Sequence, residues 1–209
     1  MILKTATPEE KGRQLRGVVS AFTAGDGLSL KYAKQVKDRK VPDGKVLGVH
    51  RYTIKGCVTY VVVAKRNYGR SRSGGELVLN YYVQQVNPQT GRVSYLRPNF
   101  DITGVWTRGY LEFTEHFISR LRERDGKEFQ DLLKTAGIDT LSLVEGTSGD
   151  LESTFGGYRV FVKKEGENVI ITTMVTDDML YDNQRPTGET IKVNTEQYNT
   201  IKNRIITAA

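Results

Sequence analysis

Residues 45–66 read KVLGVHRYTIKGCVTYVVVAKR, and this stretch decides the fold class. Across residues 45–55 apolar and polar side chains alternate, with Val46, His50, Tyr52 and Ile54 on one parity. That is the period of a strand lying over a core. Residues 57–66 and 76–86 are rich in Val, Tyr and Leu, types that fit a pleated, half-buried surface. The turn Asn87-Pro88-Gln89-Thr90-Gly91 leads to a further short strand over residues 92–96, because Asn, Pro and Gly each favour turn geometry. Residues 43–112 are therefore expected to form an antiparallel meander.

Toward the N-terminus, residues 7–22 read as a helix. Thr7 can cap, Pro8 suits the first helical position and Glu10 completes a capping box. Leu15, Val18, Val19 and Phe22 recur at helical spacing. A second helical segment over residues 28–36 leads into a basic run and the turn Pro42-Asp43-Gly44. Residues 1–42 thus form an N-terminal helical extension.

Toward the C-terminus, residues 113–209 mix helix and strand. Thr114 is the expected cap of a helix over residues 114–124, with Phe113, Phe117, Ile118 and Leu121 as its apolar stripe and Asp125-Gly126 as its break. Helix resumes over residues 127–136 and stops at Gly137. Strands over 158–164 and 168–175 flank the turn Glu165-Gly166-Glu167. A helix over 179–183, a strand over 190–193 and a terminal helix over 195–207 complete the expectation. The class is α+β: one domain over residues 1–209, an antiparallel sheet packed against helices.

Thirty-one basic against 24 acidic residues give a charge of +7, which favours polyanionic partners. Cys57 is the single cysteine and cannot form an internal bridge, and only His50 and His116 join it as soft ligands. No metal or other cofactor is expected. Charges interrupt the first fourteen residues where a signal peptide needs an apolar run. No stretch has membrane-spanning length. A cytoplasmic location is the expectation.

His116, Arg120 and Arg124 stand at i, i+4 and i+8 and project along one stripe of the 114–124 helix. In the first turn, the positive end of the helix dipole disfavours an imidazolium. A neutral imidazole beside two permanent cations is the inventory of a general base next to a phosphate. The alternative is a solvated face on which Glu115, Glu123 and Asp125 pair with the arginines. A core histidine is a third possibility.

The order of residues 113–124, FTEHFISRLRER, then Gly157-Tyr158-Arg159-Val160 and Val169-Ile170-Ile171-Thr172-Thr173 resembles the barnase–EndoU–colicin–RelE superfamily over residues 110–185. Its members are metal-independent ribonucleases, many of them toxins, with helices packed on an antiparallel sheet. The resemblance implies His116 as acid or base, Arg120 and Arg124 on phosphate, and Thr172 or Thr173 orienting substrate. Consecutive strand residues face opposite sides, so only one of the two can point at the site, and Thr173 is the expected one.

Three further features bear on partners. The loop over residues 66–75 carries Arg66, Tyr68, Arg70 and Arg72 among Gly and Ser, suiting a nucleic-acid backbone and a stacked base or a plain solvated hairpin tip. Lys34, Lys37, Arg39, Lys40 and Lys45 read chiefly as a helix end complementing its dipole. His50 is the only other imidazole able to act as the acid opposite His116. Three function classes follow. The first is a metal-independent endoribonuclease or ribonuclease-derived toxin. The second is a non-catalytic RNA- or DNA-binding protein. The third is a phage-type structural or inhibitory protein with a protein partner.

Overall fold

The computed structural model describes residues 1–23, 27–66, 75–100, 106–136, 144–145 and 151–175. In chain order the elements are β1 (Ile2–Leu3), α1 (Pro8–Thr23), α2 (Leu28–Lys37), β2 (Val46–Ile54), β3 (Cys57–Arg66), β4 (Glu76–Val86), β5 (Val93–Phe100) and β6 (Trp106–Phe113). Then follow α3 (Glu115–Asp125), α4 (Phe129–Ala136), β7 (Val144–Glu145), β8 (Leu151–Phe155), β9 (Tyr158–Glu165) and β10 (Asn168–Val175). The fold is α+β, with the N-terminal helices in place. The expected helix over 179–183, the strand over 190–193, the helix over 195–207 and the stop at Gly137 lie outside the described residues.

One mostly antiparallel sheet runs through the molecule in the order β2-β3-β4-β5-β6-β10-β9-β8-β7, with β1 added beside β4. The meander β2–β6 is followed by α3 and α4, and a second meander then returns through β7–β10. The two halves meet where β10 runs parallel to β6, pairing Val169 with Leu111 and Ile171 with Phe113.

Helices cover both faces of the first meander. On one face α1 contributes Leu15 and Val18 to a cluster with Ile2, Val83, Leu96 and Tyr110. On that same face Leu28, Tyr32 and Val36 of α2 pack on Val61, Val63 and Tyr81. On the opposite face Phe117, Ile118 and Leu121 of α3 join Phe129, Leu132 and Leu133 of α4. They pack over Val62, Tyr82, Tyr95, Phe113, Ile171 and Met174. Val61, Val62 and Val63 are all buried although they point alternately, which is why β3 is apolar throughout.

Local signals act as their chemistry requires. Thr7 N–H donates to Glu10 Oε2 at 2.9 Å, and Glu10 N–H donates to Thr7 Oγ1 at 3.3 Å, closing the capping box of α1. Gly91 adopts φ 67° and its N–H donates to the Asn87 carbonyl, closing the β4–β5 turn. One parity expectation needs correcting. The pairing of β2 with β3 shifts register between Val46 and Gly48, so Val46 packs with the α3–α4 layer while Tyr52 faces α2. A bulge reverses the alternation there.

Among the buried polar side chains, the charged Glu112 and Lys65 each tie distant segments together. Glu112, 4% exposed, accepts from Lys4 Nζ at 2.7 Å and Gln85 Nε2 at 3.2 Å, with Lys11 Nζ at 3.9 Å. Lys65, 1% exposed, donates to the carbonyls of Asp38 and Val41 at 2.5 and 3.0 Å. It thereby pins the segment after α2 to β3.

Candidate functional site

Thr114 builds the start of α3. Its Oγ1 accepts from Phe117 N–H at 3.2 Å and donates to the Thr172 carbonyl at 3.0 Å. Its own N–H donates to the Ile171 carbonyl at 3.1 Å. One side chain thus caps the helix and ties it to β10. At the other end Gly126 takes φ 62° and its N–H donates to the Arg122 carbonyl, a left-handed helix stop. Between these ends Phe117, Ile118 and Leu121 are buried, and His116 is exposed. The core-histidine possibility is therefore set aside.

Along the expected stripe, Arg120 Nε donates to His116 Nε2 at 3.4 Å, and Arg120 Nη1 meets Glu123 Oε2 at 2.7 Å. Ser119 Oγ also donates to Glu123, at 2.9 Å. The Ser119 hydroxyl, and after it Arg120, hold the Glu123 carboxyl below its usual range. Arg124 Nη1 donates to the Met174 carbonyl of β10. Both guanidinium groups of the stripe are engaged within the chain. Asp125 is bound by Tyr158 and Lys127, and Glu115 accepts from Asn87 Nδ2 at 3.2 Å.

The concavity beside α3 is built on a neighbouring stripe. A groove of about 640 Å³ is lined by Glu115, His116, Ser119 and Arg122 of α3, by Arg92 and its neighbours at the β4–β5 turn, and by Lys4. His116 is the one member of the expected triad that lines it. Arg122, which is not part of that stripe, lines it and meets Glu128 at 2.8 Å. The first-turn amides of a helix lack intrahelical acceptors, so this end of the groove carries partial positive charge.

The remaining sequence candidates lie elsewhere. Thr173 pairs with Phe161 of β9, whereas Val160 and Val162, on either side of Phe161, point into the α3–α4 core. Strand alternation therefore turns Thr173 to the opposite face, away from His116. Thr172 Oγ1 donates to the Phe161 carbonyl at 3.0 Å. Arg66 ends β3, while Tyr68, Arg70 and Arg72 lie outside the described residues. His50 bonds Tyr32 of α2 at 2.6 Å on the far side of the sheet. It is not the acid opposite His116, because the whole sheet separates them.

No protein-family model, curated protein or solved structure matches the chain.

No group of three or more His, Cys, Asp or Glu suited to a metal ion occurs among the described residues. No described helix is long and apolar enough to cross a membrane. Sequence reasoning missed Lys4 and Arg92 as site residues. Their approach depends on β1 pairing with β4 and on the β4–β5 turn meeting α3, which local spacing does not encode.

Proposed function

We propose that the chain is an RNA-binding protein whose groove beside the start of α3 receives the phosphate backbone. The observation that carries this reading is the convergence of Lys4, Arg92, His116 and Arg122 from separate chain segments on one concavity. Arg92 is exposed at its rim. Lys4 and Arg122 lean on Glu112 and Glu128, which orients them and leaves their remaining donors for an anion. A helix N-terminus beside such cations suits a phosphate. The test is binding of labelled oligouridine by wild type and by Arg92→Ala. The variant is expected to bind more weakly and with a shallower salt dependence; equal binding would sink the reading.

A second reading is metal-independent cleavage, favoured by the presence of both Glu115 and His116 in the groove lining. Attack of a 2′-hydroxyl on the adjacent phosphorus forms one P–O bond and expels the 5′-oxygen. One group must accept the hydroxyl proton and another must protonate the leaving oxygen. In this reading Glu115 is the carboxylate base that takes the hydroxyl proton and the imidazolium of His116 is the acid that protonates the leaving oxygen. Labelled RNA incubated with EDTA tests it. Cleavage by wild type and its loss in His116→Ala and Glu115→Gln are expected. Intact RNA with wild type, or equal cutting by the variants, excludes catalysis.

A further inference from the structure

The charge available to a polyanion is distributed differently from what the α3 stripe suggests. Every cation of α3 and α4 whose side-chain partner is described is held within the chain. Arg120 is on Glu123, Arg122 on Glu128, Lys134 on Asp131 and Arg124 on the Met174 carbonyl. Lys31, Lys34 and Lys37 of α2 are all exposed, as are Lys40 and Lys45 beyond it. None of these five forms an ion pair with a carboxylate among the described residues. Residues 28–45 contain six basic and two acidic side chains. This short segment therefore carries +4 of the chain's +7.

Their placement is ordered. Leu28, Tyr32 and Val36 of α2 are buried against the sheet. At 100° per residue, Lys31, Lys34 and Lys37 fall within about a third of the helix circumference on the outward side, stepping about 4.5 Å along the axis. Beyond the helix the backbone is held by Lys65. Its ammonium binds the Asp38 and Val41 carbonyls, and its main chain exchanges hydrogen bonds with Gly44 and Lys45. The segment presenting Lys40 and Lys45 is thus fastened to β3.

We infer that the outward face of α2 and the turn after it is a second binding surface, on the sheet face opposite the groove, for the sugar-phosphate backbone of a nucleic acid. Dipole complementation, the plain explanation of lysines at a helix C-terminus, covers Lys34 and Lys37 but not Lys31, Lys40 or Lys45. Phosphate contacts by lysine read charge and spacing and carry no base sequence, which suits a row of ammonium groups. Leu30 is 85% exposed on this face. A single leucine is an ordinary surface residue, and no second large apolar side chain of α2 is exposed with it, so insertion into a lipid surface is the weaker use of these lysines. The inference shares with the groove reading only the polyanionic partner.

The test uses the full chain, labelled oligouridine, and vesicles of phosphatidylserine and phosphatidylcholine. The triple variant Lys34→Gln/Lys37→Gln/Lys40→Gln is compared with Lys34→Arg/Lys37→Arg/Lys40→Arg and with Arg92→Ala. Neutralising three contacts is expected to reduce the slope of log affinity on log salt by about 2, at about 0.7 per single-strand phosphate contact. The arginine triple should retain the wild-type slope. An unchanged slope in the glutamine triple overturns the inference, and so does equal loss in the arginine triple. Loss of vesicle binding with RNA binding intact overturns it in favour of a membrane surface. Loss in the glutamine triple with Arg92→Ala unaffected supports this surface while refuting the groove. The reverse pattern refutes this surface and leaves the groove standing.

Discussion

The Tyr32 hydroxyl lies 2.6 Å from Nε2 of His50, joining α2 to β2 across the interface of helix and sheet. Gly48 makes room for this bond. A Cβ there would overlap the Tyr32 hydroxyl and lie 3.0 Å from His50 Nε2. With Nε2 unprotonated the phenol O–H is the donor of this bond, and protonation of His50 at Nε2 removes that acceptor. The two imidazoles of the chain therefore sit in unrelated settings, one in a packed interface and the other on a groove wall.

This bond predicts a pH dependence. Burial, and after it the Lys31 ammonium, lower the pKa of His50 from its ordinary 6.5. The folded state then binds fewer protons than the unfolded chain, so stability rises with pH through that window. The contribution is complete above about 6.5 and is lost as pH falls through the lower folded value. Tyr32→Phe should move the His50 titration upward toward the ordinary value and flatten the acid loss of stability. Imidazole proton resonances followed against pH, with urea midpoints at each pH, check both outcomes. An unmoved His50 titration in Tyr32→Phe would refute the role of the hydroxyl.

Thr114→Ala should lower stability by up to about 2 kcal/mol, a lost N-cap typically costing about 0.5–2 kcal/mol. The residue also donates to the Thr172 carbonyl, so the loss should fall toward the upper end of that interval. Thr114→Ser keeps both bonds and should recover most of it. Urea denaturation of the three proteins decides the matter, and an alanine variant as stable as wild type would contradict the double role.

Gly109→Ala tests the junction of the two meanders. A Cβ on Gly109 would overlap the Glu167 carbonyl oxygen and lie 2.7 Å from its carbonyl carbon. Close by, Tyr110 N–H donates to Asn168 Oδ1 at 3.1 Å. Overpacking of this kind costs about 1–3 kcal/mol. Hydrogen exchange should quicken in β10 where it pairs with β6 and remain slow in β3. Uniform exchange, unchanged from wild type, would mean that the β9–β10 turn yields freely.

Phe129→Ala should be the most damaging of these substitutions, at about 3–5 kcal/mol. Phe129 stacks on Tyr95 with centroids 4.2 Å apart and lies 5.3 Å from Phe113 and 5.7 Å from Tyr82. It joins α4 to three strands at once. Thermal unfolding measures the effect, and a loss below about 1 kcal/mol would show that the aromatic cluster closes over the gap.

Much of the local architecture is legible in the residues. The Thr7–Glu10 box, the Asn87–Gly91 turn and the Thr114 cap each act through side chains no more than four positions from the backbone they satisfy. Strand β6 was harder to read, since it mixes Arg108 and Glu112 with apolar residues. Glu112 is buried only because Lys4, Lys11 and Gln85 converge on it from far along the chain. The candidate site was half legible. His116 could be placed in the first turn of an exposed helix face, but its neighbours in space could not.

The helix that carries His116, its capping residue and its apolar stripe were determined by sequence alone, because helix geometry relates residues three and four apart by fixed angles. Which side of that helix would face a concavity was decided only by tertiary structure. Folding drew Arg124 onto the Met174 carbonyl, and it brought Lys4 and Arg92 beside Arg122. Those meetings span up to 118 residues of chain, and strand pairing sets them. A local period carries no information about contacts at that distance.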